Sequence, residues 1–167
     1  MMRRFAVLAA ALVALTGAAH AAPPTKAELL QKAGEGAAAC AQSMPDRRQT
    51  GEALSAVGYK LDEATGPFKA YTALGKRVVV VITGNKPGNQ GCIVLASGMT
   101  VPEAEALIQP WVVLTGARPA TISDSPAGRF EKGWIGTFKG GPVELGIAKH
   151  ISTPIVRGAA IVARSVE

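Results

Sequence analysis

Three features of this sequence predict an α+β domain: a mainly antiparallel sheet of five to six strands, two to three helices packed on one face, and one disulfide. The hydrophobic period changes from helical to strand-like near Tyr59, strand-like runs return after a second helical stretch, and the two cysteines lie one in each kind of region.

Residues 1–21 read as a cleavable signal peptide rather than as part of the fold. Arg3 and Arg4 supply a positive start, residues 5–15 form an unbroken apolar run, and Ala19-His20-Ala21 places small residues where a signal peptidase tests them. Cleavage is expected after Ala21. A membrane anchor would need about 20 apolar residues, and this run is too short. The mature chain, 22–167, has the length of a single domain with its own core. Loss of Arg3 and Arg4 lowers the net charge from +6 to +4. The remaining bases alternate with acids, and no polybasic tract survives to bind nucleic acid. The mild excess suits an anionic envelope surface or an acidic partner.

Thr25 and Glu28 form a capping-box pattern that starts a helix. Leu29, Ala33, Ala37, Cys40 and Met44 then recur at helical spacing, and Pro45 ends the run. A shorter helix is expected over 50–57, with Gly58 as its terminator. Beyond Tyr59, β-branched and aromatic runs predict strands over 68–74, 77–83 and 92–97, the first two joined at Gly75-Lys76. The run Val78 to Ile82 is apolar at every position, so it should be central and covered on both faces. Thr100 and Glu103 form a second capping box, and Ala104, Leu107, Ile108, Trp111 and Val112 make the stripe of another helix. Pro110 should kink that helix or split off its last turn. Strands over 133–138, 143–149 and 159–163 follow, the first two a hairpin.

In an exported chain, Cys40 and Cys92 read as a structural disulfide. Their separation is far from the C-x-x-C spacing of a redox pair. Such a loop stabilises by about 4 kcal/mol in the chain-entropy model.

The chemistry of known active sites is sparse here. With both thiols assigned, His150 is the one histidine left after processing, so neither a metal nor another cofactor is expected. A Ser-His-Asp site would have to draw His150 to Asp62 or Asp124 from distant segments, without a G-x-S-x-G elbow. The glycine-rich loop 84–91 lacks the G-K-[ST] ending of a phosphate cradle and leads into a strand rather than a helix. A ligand-facing set is drawn instead from strand 133–138, where Trp134, Gly136 and Phe138 share one face and Gly136 leaves a gap between two aromatics. His150 joins that set as a strand-end histidine. A neighbouring side chain is the other occupant for such a gap.

The layout as a whole runs from signal peptide to Cys40 in the first helix, then Leu54-x-x-x-Gly58-Tyr59, Gly91-Cys92-x-Val94, Met99-Thr100 with Glu103-Ala104, and Pro110-Trp111. It resembles small exported single-disulfide proteins of proteobacteria of unassigned function. The resemblance implies the same disulfide and compartment and transfers no site residue. The expectation is a non-catalytic binding module, periplasmic or secreted, for a protein or small ligand of the envelope, with no stable membrane anchor after cleavage. An envelope inhibitor or immunity-type protein using loop 84–91 or 117–128, and a small hydrolase with a dispersed site, are the alternatives.

Overall fold

A computed structural model describes residues 22–84, 90–122, 129–153 and 155–166. Residues 1–21, read above as a signal peptide, residues 85–89 and 123–128 of the two predicted loops, and with the latter Asp124, lie outside the described residues.

The first helix, α1 (Lys26–Ser43), begins where the capping pattern places it. The Thr25 hydroxyl accepts from the Glu28 amide, and the Glu28 carboxylate takes the Thr25 N–H at 2.6 Å. Its predicted stripe is buried from Leu29 to Cys40, and Met44 continues it past the helix end. Helix α2 (Arg47–Ala56) starts three residues earlier than expected. The Asp46 carboxylate accepts from the amides of Arg48 and Gln49, both at 2.9 Å, and so caps the extra turn.

Helix α3 (Val101–Leu114) runs through Pro110 without losing its last turn, which corrects the expected split. Pro110 and Ala106 are both exposed, so the carbonyl that proline leaves without a donor faces water. The Thr115 hydroxyl and amide then both donate to the Trp111 carbonyl, at 2.8 and 2.9 Å, and secure the final turn.

The sheet has eight strands, not five to six: β1 (Lys60–Thr65), β2 (Phe68–Ala73), β3 (Val78–Thr83), β4 (Gly91–Ala96), β5 (Arg118–Pro119), β6 (Phe130–Phe138), β7 (Gly141–Ser152) and β8 (Arg157–Ser165). All pairings are antiparallel, in the order β1-β2-β3-β4-β8-β7-β6-β5. Two four-strand meanders therefore meet at their last strands, and α3 carries the chain from the centre to the far edge. The two additional strands are the two edges. β1 is exposed at every position and β5 has two exposed residues, so neither carries the buried alternation that marks a strand in sequence.

The helices share one face of the sheet. Between them lies the main core, with Val78, Val80 and Ile82 of β3, Cys92, Val94 and Ala96 of β4, and Ile161 of β8. Cys40 is bonded to Cys92 across this layer, with a Cα separation of 6.2 Å, and both residues are 1% exposed. The bond pins the C-terminal half of α1 to a central strand. Tyr59 reaches back under α1, where its hydroxyl donates to the Lys32 carbonyl at 2.7 Å. Its ring leaves no room for a side chain at position 36, since a Cβ there would lie 2.5 Å from the Tyr59 oxygen. On the opposite sheet face, Val79, Leu95, Ala148 and Ala160 form a smaller core with Val156 from the β7–β8 connection, Phe130 and Ile151 packing beside it. β3 is thus buried on both sides, but no described helix covers its second face.

Candidate functional site

α1 and α3 run in the same direction, and a polar clamp sets this arrangement. The Lys26 ammonium meets the Glu103 carboxylate at 2.9 Å and also donates to the Gly98 carbonyl, which ties the two helix N-termini together. The C-terminal ends of both helices consequently fall side by side, next to the β6–β7 turn.

That second end is apolar on one side and cationic on the other. Trp111, Leu114, Met44 and Phe138 gather there around a void of about 20 Å³. The void is the size of one water molecule and far below that of a ligand pocket. Val113 is 76% exposed and Leu114 66%, the highest values among the described large apolar residues, while Trp111 and Phe138, which line the void with Leu114, are half-buried. The Lys139 ammonium lies 5.2 Å from the Phe138 ring centre and donates to the Gln42 carbonyl at 2.7 Å. Beside it opens a cleft of about 410 Å³ lined by Ser43, Pro45, Arg47, Arg48, Gln90 and Lys139. The Thr50 hydroxyl donates to the Asp46 carbonyl and accepts from Ser43 at 2.9 Å, a buried link that orients α2 and its two arginines.

The ligand-facing set drawn from the sequence is divided by the fold. Trp134 is 7% exposed and belongs to the core. The gap at Gly136 is filled by the C-terminal cap of α3: a Cβ there would lie 2.8 Å from the Thr115 carbonyl oxygen, which accepts the Thr137 amide at 3.0 Å. Phe138 remains at the apolar rim. His150 is exposed near the opposite end of β7. Asp62 sits on the edge strand β1, five strand positions from β7 and so roughly 24 Å away across the sheet. It pairs there with Lys76 at 2.7 Å. The fold therefore does not unite His150 with that carboxylate.

The shifted titrations have structural causes. Glu28 and Glu103 are held below the usual carboxylate range first by the backbone amides of Thr25 and Thr100, and Glu35 by the Lys32 ammonium. Burial pushes the phenols of Tyr59 and Tyr71 upward. Among the described residues no three His, Cys, Asp or Glu side chains converge as a metal site, and no helix is long and apolar enough to cross a membrane.

The exposed tip of α3 was not singled out from sequence. Val113 and Leu114 simply prolong an apolar run past the last stripe position, Arg47-Arg48 reads as a solvated turn, and Lys139 as a hairpin residue. The continuation Trp-Val-Val-Leu without a polar residue was the available signal. Comparison of the chain with family models, with curated proteins and with solved structures finds no match.

Proposed function

We propose that the chain is exported and that its mature domain, residues 22–167, is a non-catalytic binding module of the periplasm or the secreted space. Its contact surface is the C-terminal end of the helical layer. The observation that carries this reading is Leu114, largely exposed yet lining the same void as half-buried Trp111 and Phe138, with exposed Val113 as its chain neighbour. Solvated aliphatic residues scattered singly are ordinary, whereas a contiguous group with a charged rim marks an interaction surface. The disulfide supports the oxidising compartment.

Photo-crosslinking in living cells tests the reading, with the reactive amino acid placed either at Leu114 or at exposed Gln31 near the other end of α1. The expected result is adducts from Leu114 well above those from Gln31, in chains whose N-terminus is Ala22 by mass spectrometry. Equal yields at the two positions defeat the contact surface, and an intact leader on the functional protein defeats export.

A further inference from the structure

We infer that the surface this end contacts is an anionic phospholipid bilayer, bound reversibly and peripherally; the inference rests on the contact surface proposed above. Val113 and Leu114 are exposed at the last turn of α3, and the voids beside Leu114 and beside the disulfide, about 20 and 10 Å³, offer no socket for a partner's anchoring side chain. Protein interfaces are organised around such sockets, whereas a bilayer receives protruding aliphatic groups at its acyl boundary. Trp111 and Phe138 lie half-buried behind the aliphatic tip, the placement of aromatic side chains at headgroup depth.

Lys139, Arg47 and Arg48 line the cleft adjoining the tip. Among the described residues, two carboxylates of the α2 segment flank them, and Glu144 at the start of β7 is paired with Arg164. Asp46 is engaged by the Arg48 and Gln49 amides, and Glu52 faces Arg48 at 3.2 Å. Glu28, Glu103 and Glu105 belong to the N-terminal halves of α1 and α3, and mid-helix Glu35 is held by Lys32. A bilayer meeting the tip thus receives aliphatic groups, then aromatic rings, then cations at its phosphates. No covalent anchor or spanning segment is needed.

The test is co-sedimentation of the exported, processed protein with two kinds of vesicle: phosphatidylcholine alone, and phosphatidylcholine with about a quarter phosphatidylglycerol. Preferential binding to the anionic vesicles is expected, weakening as salt is raised. The double variant Val113→Ser/Leu114→Ser should lose about tenfold or more of that binding, because two aliphatic groups no longer leave water. Lys139→Glu should lose a smaller, salt-sensitive share. Equal sedimentation with both vesicles, or an unchanged double variant, overturns the inference. If the vesicles fail while Leu114 crosslinks to a protein, the bilayer is wrong and the contact surface stands; if Leu114 also gives no more adducts than Gln31, both fall.

Discussion

Over the first ten residues of α1 and the first turn of α3, Lys26, Glu28, Lys32, Glu35 and Glu103 are tied to one another or to backbone groups, whereas at the C-terminal end of the helical layer Val113 and Leu114 stand in solvent. Both ends belong to the same two helices, resting on the same core. The N-terminal contacts are half-exposed and contribute little each, since a surface ion pair is worth about 0–1 kcal/mol. What they supply is geometry: two capping boxes and one lysine bridge set where both helices begin, and helix length then sets where they end. The difference teaches that polar closure at one end positions an apolar surface at the other.

The largest expected effect comes from removing the fastener common to both ends. Cys40→Ser or Cys92→Ser should each lower stability by about 2–5 kcal/mol in urea unfolding, and the double variant by little more than either single one, because all three delete the same cross-link. Labelling of denatured, unreduced protein should find no free thiol at Cys40 or Cys92. Reactive thiols there would separate α1 from β4 and end the comparison.

A smaller effect distinguishes two glycines of α1. Gly36→Ala drives a methyl group to 2.5 Å from the Tyr59 oxygen and 2.9 Å from Val80, and the overpacking should cost about 1–3 kcal/mol despite alanine's better helix propensity. Gly34→Ala meets only the flexible end of Leu107, at 3.3 Å, and should be neutral or stabilising by up to about 1 kcal/mol. Thermal melts of the two variants moving in the same direction would contradict the seat assigned to Tyr59.

The smallest effects set the two ends directly against each other. Thr100→Ala removes the cap of α3 and should cost about 1 kcal/mol, while Leu114→Ser at its other end should stay within about 0.5 kcal/mol of the parent. The cap also carries a pH signature. Because the Thr100 amide, and then Lys26, hold the folded Glu103 below its unfolded range, that stabilisation is complete above the unfolded carboxylate pKa. It is lost as pH falls through the folded value. The stability difference between parent and Glu103→Gln should therefore shrink on acidification; a constant gap would remove the Glu103 carboxylate from the cap.

Much of the layer was legible in advance. The Thr25 and Thr100 boxes, the stripe from Leu29 to Met44, and the Cys40–Cys92 pairing are local patterns, or the single pairing two cysteines allow, and the structure keeps all of them. The edge strands were not legible, because β1 buries no face and β5 is two residues long. The aromatic face of β6 misled for another reason. Residue alternation puts Trp134, Gly136 and Phe138 on one side, but only the path of α3 decides that Thr115 fills the gap.

Sequence by itself determined the starts of α1 and α3, the core strands and the covalent link, since capping, alternation and cysteine parity act over a few residues or allow one solution. Tertiary structure alone decided that α1 and α3 run the same way, that His150 and Asp62 stay apart, and that Val113, Leu114, Phe138 and Lys139 share one end. Those outcomes depend on strand order and on contacts between residues far apart in the chain, for which no local period carries a signal.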